Sequence, residues 1–319
     1  MLDRRALLAA LAALPLEPAL APGVRAAEPG VLRIGYQKNG ILVVAKQQGL
    51  VEKRLEPLGH AVRWVEFSFG PPLLEALSVG GIDVGVTGDA PPIFAQAARS
   101  DLVYAAAQEG GSSGAGILLP KGSALRDLAD LRGKRVAFAK GTSAHNLTIA
   151  ALEKAGLGYA DIEPVILAPA DAAAAFARGG VDAWTIWDPY LAIAEQGEGV
   201  RVLTLATDIA PQNTFLLASR PFAETRTPVL TAVIDALGAV ATWCAQNRGA
   251  VAALLSQGTG VPLAATRRAV DRAEYVFGPM TDRVVAEQQR VADRFHALKL
   301  IPKPIRIADA VWTPPARNG

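Results

Sequence analysis

One segment constrains this chain more than any other: Arg135-Val136-Ala137-Phe138-Ala139-Lys140-Gly141-Thr142-Ser143-Ala144-His145-Asn146. An apolar strand runs into a tight Gly-Thr-Ser turn, and the turn opens the periodic helix Leu147-Thr148-Ile149-Ala150-Ala151-Leu152. A helix begun this way aims free backbone N–H groups, two hydroxyls and the positive end of its dipole at one point. That point is a seat for a small anion. The same grammar stands earlier, where Asp83-Val84-Gly85-Val86 runs into Thr87-Gly88-Asp89 before a helix opened by Ala90-Pro91-Pro92. Proline suits a first helical turn because its missing N–H has no partner there anyway. Either segment alone reads first as a plain turn with an N-cap. Two of them, in separate halves of the chain, point to a ligand gripped between two lobes.

Strand and helix alternate through most of the chain, which predicts an α/β fold with mostly parallel sheets. Strands are expected at Val31–Tyr36, Val62–Phe67, Asp83–Val86 and Leu102–Ala107, with helices over Ile41–Leu50 and Leu73–Val79. Gly110-Gly111-Ser112-Ser113-Gly114 then breaks the pattern and marks an exit from the first lobe. A second series follows, with strands at Arg135–Ala139, Pro164–Leu167, Val181–Ile186 and Val200–Leu205 and a helix over Ala170–Ala177. Asn213–Ser219 carries the chain back, and from Pro221 onward the pattern is helical, over Val229–Asn247, Leu263–Tyr275 and Asp282–Leu300. No repeat is evident. The expected division is a leader over 1–26, lobe 1 over 27–115, lobe 2 over 116–210, and a return to lobe 1 with C-terminal helices over 211–319.

At 319 residues the chain can bury two ordinary cores. Its net charge of +2 and 19% charged residues, mixed along the sequence, exclude the clustered basic footprint of a nucleic-acid binder. Cys244 is the only cysteine, so neither an intrachain disulfide nor a cysteine-based zinc site is expected. His60, His145 and His296 lack metal-ligand spacing, and no metal or cofactor is expected. Arg4 and Arg5, the apolar run Ala6–Leu14 and the small residues of Val24-Arg25-Ala26 read as a cleavable export signal, by the general or the twin-arginine route. Pro15 and Glu17 make that run too short for a membrane anchor. No later segment is expected to have the length and uniform apolarity of a span.

Gln37 and Lys38 follow the first strand, at the carboxyl edge where open α/β sheets bind ligands. Thr87, Gly88 and Asp89 end another strand, and Thr142, Ser143 and His145 follow a third. Trp184-Thr185-Ile186-Trp187-Asp188-Pro189-Tyr190 stands out in a chain with 6% aromatic residues. Trp184 reads as core, whereas Trp187 fits an apolar wall beside a polar headgroup and Tyr190 fits either role equally. Asp188 has three readings: repelling wrong anions, orienting a ligand donor, or capping the next helix. Enzyme signatures are poor, with no nucleophile elbow, Walker loop or His-Glu-x-x-His. Ser143 and His145 do not make a nucleophile–base pair, because residues two apart on a helix do not face each other.

These strings resemble the aliphatic sulfonate-binding proteins of ABC importers. The resemblance is carried by Ile34-Gly35-Tyr36-Gln37-Lys38, Thr87-Gly88-Asp89-Ala90-Pro91-Pro92, Lys140-Gly141-Thr142-Ser143-Ala144-His145-Asn146 and Asp182-Ala183-Trp184-Thr185-Ile186-Trp187-Asp188-Pro189-Tyr190, and it spans nearly all of the chain after the leader. It implies a type II periplasmic binding protein fold, two α/β lobes closing on a ligand. It also implies a sulfonate headgroup met by Gln37, by Thr87-Gly88-Asp89, by Thr142-Ser143-Ala144-His145, and by Trp187 with Asp188. Phe69 departs from the family, which carries a small residue before this Gly-Pro; a Phe69 lining the cleft would favour aromatic tails. The implied partners are an organosulfonate and an inner-membrane ABC permease, for a monomer in the periplasm. Taurine, nitrate or a thiamine-precursor pyrimidine are alternative ligands on the same fold. Desulfinases share it too, using a cysteine nucleophile in the cleft, so the place of Cys244 separates that enzyme reading from the binding one.

Overall fold

A computed structural model describes residues 30–313, so the export-signal reading of residues 1–26 lies outside the described residues. The first third of the chain forms β1 (Val31–Tyr36), α1 (Gly40–Gln48), α2 (Leu50–Leu55), β2 (Ala61–Glu66), α3 (Gly70–Ser78), β3 (Val84–Gly88), α4 (Ala90–Ala97) and β4 (Leu102–Glu109). Next come β5 (Ala115–Leu119), β6 (Arg135–Phe138), α5 (Ser143–Lys154), β7 (Glu163–Ile166), α6 (Pro169–Ala177), β8 (Ala183–Trp187), α7 (Tyr190–Ala194) and β9 (Arg201–Leu205). The remainder is β10 (Thr214–Ser219), α8 (Arg220–Thr225), α9 (Thr227–Gln246), α10 (Arg248–Thr259), α11 (Leu263–Arg272), β11 (Val276–Gly278) and α12 (Asp282–Ala297).

The strands make two sheets, ordered β11-β4-β10-β3-β1-β2 and β7-β6-β8-β5-β9. Both are mixed rather than mostly parallel. Strands β1, β2 and β3 run parallel, as do β6, β7 and β8, whereas β10 lies antiparallel between β3 and β4 and β5 antiparallel between β8 and β9. The reason is the route of the chain. Strand β4 ends at the carboxyl edge of the first sheet, and the short segment after it delivers β5 to the second sheet from that same side. Strand β10 makes the reverse crossing. A strand entering from the carboxyl edge must run against its neighbours. The two crossings therefore bring the carboxyl edges of both sheets together.

Each sheet is anchored by the same device. Arg33 on β1 donates from its backbone N–H (2.8 Å) and its guanidinium (2.6 and 3.1 Å) to Asp83, just before β3. Arg135 on β6 repeats this with Asp182, just before β8. The aspartates end matching strings, Gly80-Gly81-Ile82-Asp83 and Gly179-Gly180-Val181-Asp182. In each, the first glycine takes a positive φ (72° and 68°) to stop the preceding helix. The second donates back into that helix, to Ala76 and Ala175.

Leu32, Ile34 and Val84 on one face of the first sheet bury against α1, α2 and α9, through residues such as Val44, Leu55, Leu237 and Cys244. The other face buries Leu73, Ile93, Phe215 and Phe295 from α3, α4, β10 and α12. The second sheet is covered by α5 on one side and α6 on the other, around Phe138, Leu152 and Trp184.

Several expectations change in detail. The helix over Ile41–Leu50 stops at Gln48, because Gly49 takes a left-handed φ of 61° and a second helix restarts at Leu50. The tail is not wholly helical, since β11 pairs with β4 as an edge strand, and α10 fills a stretch with no helix assigned from the sequence. Helix α9 is long and apolar enough by length and composition to cross a membrane, contrary to the expectation that no such segment follows the leader. Its apolarity serves packing here: Val229, Val233, Leu237, Val240 and Cys244 are buried on one face against the first sheet unit.

Candidate functional site

A cavity of about 220 Å³ lies between the two sheets, where their carboxyl edges face each other. The first sheet unit contributes Gln37, Asn39, Gly40, Gly70, Thr87, Gly88 and Pro91, which are strand ends and the openings of α1, α3 and α4. The second contributes Thr142, Ser143, Trp187 and Asp188, from the openings of α5 and α7. Several helix N-termini thus converge on one space because the segments that follow β1, β2, β3, β6 and β8 lead into it.

The openings of α1, α3 and α5 carry no side-chain cap, and at α1 and α5 the N-cap residue is of a type that usually provides one. Asn39 and Thr142 occupy the N-cap positions of α1 and α5 in extended conformation, yet neither side chain bonds its own helix. Thr142 Oγ1 donates to the Ala139 carbonyl at 2.6 Å, and Asn39 Nδ2 donates across the cavity to the Asp188 carbonyl at 3.4 Å. Neither helix carries an acidic residue in its first turn. The first-turn N–H groups and the dipole ends are therefore left uncompensated, facing the cavity. An anion with several acceptor oxygens would satisfy both at once. Among the lining residues Lys38 is the one lysine or arginine, and its Nζ pairs with Glu66 at 3.2 Å.

Of the residues selected from the sequence, Gln37, Thr87, Gly88, Thr142, Ser143, Trp187 and Asp188 line the cavity. Phe69, Asp89, Ala144 and His145 are not among the lining residues. Phe69 is the half-buried N-cap of α3, and it is the following Gly70 that meets the cavity. Asp89 is buried behind the wall, accepting from Ala90 N at 2.7 Å, from Asn146 Nδ2 at 2.6 Å and from the Ser143 hydroxyl. Burial pushes its carboxyl above the usual range, against those hydrogen bonds. Ala144 is buried at the start of α5, where its backbone rather than its methyl serves the helix opening.

His145 is fully buried and stacks on Phe138 (centroids 5.0 Å apart) and Phe94 (6.4 Å), with Phe295 at 5.3 Å. Its Nδ1 lies 3.3 Å from the Gly141 N–H, and its Nε2 has no hydrogen-bond partner among the described residues. Burial, with Lys140 nearby, pushes its pKa down to about 4, so the ring is neutral at pH 7. It shapes the turn of the anion seat from beneath. The hydroxyls of the seat are committed as well, Thr142 to Ala139 and Ser143 to Asp89, so the free donors at α5 are backbone amides.

Asp188 is held by the Ala192 N–H at 2.9 Å, which caps α7, and lies 3.8 Å from Arg272. Burial raises its pKa to about 6, with Arg272 pulling the other way. Tyr190 packs edge-on against the buried Trp184 and belongs to the core. At Gly88 a Cβ would stand 2.1 Å from Ser143 Oγ, so a larger residue there would turn the Ser143 hydroxyl away, and the two openings meet backbone to side chain. The sequence reading missed Gln212, Asn213, Thr266, Ala269, Val270 and Tyr275, which also line the cavity. Gln212 and Asn213 sit on the second crossing, a position readable from the return at Asn213. Nothing in the local pattern of α11 marks it as a wall.

The NMT1-like family model matches residues 25–292, and the chain belongs to that family. The periplasmic aliphatic sulphonate binding protein SsuA from Escherichia coli is 42% identical in sequence, and its crystal structure superposes with a TM-score of 0.83 over 92% of this chain and 95% of that one. The alkanesulfonate-binding protein SsuA from Xanthomonas axonopodis pv. citri, bound to MOPS, is 43% identical, with a TM-score of 0.84 over 90% and 99%. The desulfurization enzyme DSZB shares the fold alone, at 15% identity and a TM-score of 0.65 over 88% and 96%.

Proposed function

We propose that this chain is the periplasmic substrate-binding component of an ABC importer and captures an organosulfonate between two lobes. One observation carries the reading: two uncapped helix N-termini, one from each sheet unit, share a single cavity with no free lysine or arginine at its wall. A sulfonate is ionised throughout the neutral range and presents three acceptor oxygens, which suits amide donors and helix dipoles. The likeness to two sulfonate-binding proteins above 40% identity supports the same class of ligand. In this reading the described residues up to 115 and from 211 to 313 form one lobe and residues 116–210 the other. The closed protein is a monomer that delivers its ligand to a membrane permease.

Aromatic side chains at the cavity wall come from Trp187 and Tyr275, and Phe69 is not among the lining residues. The enzyme reading needs a cysteine nucleophile in the cleft. Cys244 lies in the core on α9, outside the cavity lining, and burial pushes its thiol up to about 12, so it stays protonated and unreactive. Calorimetry with hexanesulfonate, taurine, sulfate and nitrate tests the proposal. Saturable one-to-one binding of hexanesulfonate, stronger than that of the inorganic anions, is expected. Preferential binding of nitrate or sulfate would overturn it.

A further inference from the structure

Helix α11 presents two stripes to two different parts of the molecule. Thr266, Ala269, Val270 and Ala273, spaced i, i+3, i+4 and i+7, all line the cavity. On the adjoining stripe, Arg268 and Arg272 reach Glu195, which follows α7 in the second sheet unit. Arg268 makes a two-pronged contact, Nε to Oε2 at 2.8 Å and Nη2 to Oε1 at 3.2 Å, and Arg272 also pairs with Glu195 Oε2. The Glu195 and Arg272 side chains are only 7% and 13% exposed, so this pairing is largely shielded from solvent. Arg272 extends it to Asp188 on the cavity wall, and its carbonyl accepts from Ser113 on the first crossing segment. The body of α11 meanwhile packs on α10, which packs on α1.

We propose that α11 is the specificity helix of the sulfonate site, an inference that rests on the functional reading above. Its Ala269 and Ala273 face reads the ligand's tail, and the ladder of Arg268 and Arg272 on Glu195 fixes that face against the second lobe. Polar donors of the cavity come from the helix openings at Gly40 and Ser143 and from side chains such as Gln37, whereas α11 offers methyl groups, the Thr266 hydroxyl being spent on Pro262 and Leu263 at its own helix start. The seat therefore takes the headgroup and α11 takes the tail. Because the same helix is salt-bridged across the two units, tail contact and lobe closure act through one element. Small side chains at 269 and 273 leave room for a tail that larger ones would fill.

The test is a chain-length series, methane-, hexane- and decanesulfonate, measured on wild type, Ala269→Leu and Arg268→Ala. Ala269 is half-buried, so leucine there extends into the cavity rather than into a packed core. Ala269→Leu should weaken hexanesulfonate by about tenfold or more, as overpacking does, while methanesulfonate stays within about twofold. Arg268→Ala, at an exposed position, should speed hexanesulfonate release by about two- to fivefold without changing the preference among tails. An Ala269→Leu protein that loses all three ligands equally, or none, overturns the inference while leaving the functional reading intact. Unchanged release from Arg268→Ala overturns the ladder's role. Failure of the wild type to bind any member overturns the functional reading and this inference with it.

Discussion

At the scale of the residue, His145 shows how a side chain next to a ligand seat differs from one in it. Ser143, two residues earlier, lines the cavity, but that step of about half a helical turn carries the imidazole into the aromatic box of Phe94, Phe138 and Phe295. The box holds it neutral. Its folded pKa of about 4 lies below the unfolded value of 6.5. Stability from this residue is therefore complete above pH 6.5 and lost progressively as pH falls through about 4, by about 3 kcal/mol at the limit. Urea unfolding from pH 7.5 to 4 should show that loss, and His145→Phe should flatten it. An equal slope in both proteins would assign the loss to the carboxylates. His145 was selectable from the sequence as part of the Gly-Thr-Ser-Ala-His string. Its direction was not, because only packed neighbours decide which face of a first turn is inward.

At the scale of the element, the informative unit is a helix opening rather than any one side chain. The two hydroxyls that made Thr142 and Ser143 attractive are both spent, on Ala139 and on Asp89. What remains for an anion is backbone and dipole, at α5 and equally at α1. Giving a helix its own charged cap should then compete with the ligand. Asn39→Asp places a carboxylate at the N-cap of α1, where it would accept from the first-turn amides and cancel the dipole end. Loss of one charge-assisted interaction of about 1.5–3 kcal/mol predicts a fall in sulfonate affinity of about tenfold or more, with the melting temperature held or raised. Calorimetry and thermal melts on the same protein check both halves, and undiminished affinity would place the anion away from α1. The paired Gly-Gly-Ile-Asp and Gly-Gly-Val-Asp strings belong to this scale too. They escaped the sequence reading as a repeat because four residues recur without their surroundings. Only the matching Arg33–Asp83 and Arg135–Asp182 bonds reveal one device used twice.

At the scale of the whole molecule, the two sheet units are tied together at opposite sides of the cavity. On one side Asn146 of α5 donates to the buried Asp89 and accepts from Arg294 of α12, which also reaches Glu153. On the other, α11 is salt-bridged to Glu195. Both ties hold the two units together across the cavity, and a ligand gripped by both units would favour the arrangement in which they are made. Small-angle scattering should then show hexanesulfonate shrinking the radius of gyration of the free protein, alongside a rise in melting temperature that grows with ligand concentration. Stabilisation with no change in radius would mean that the free protein is already closed. The sequence by itself determined the α/β alternation and the family, because these follow from local periodicity and contiguous motifs. Tertiary structure alone decided the rest. It made the sheets mixed, since strand direction depends on which edge the chain enters. It turned Asp89 and His145 away from the cavity and brought α11 to it, since a helix about seventy residues beyond the nearest site motif joins a site only through packing.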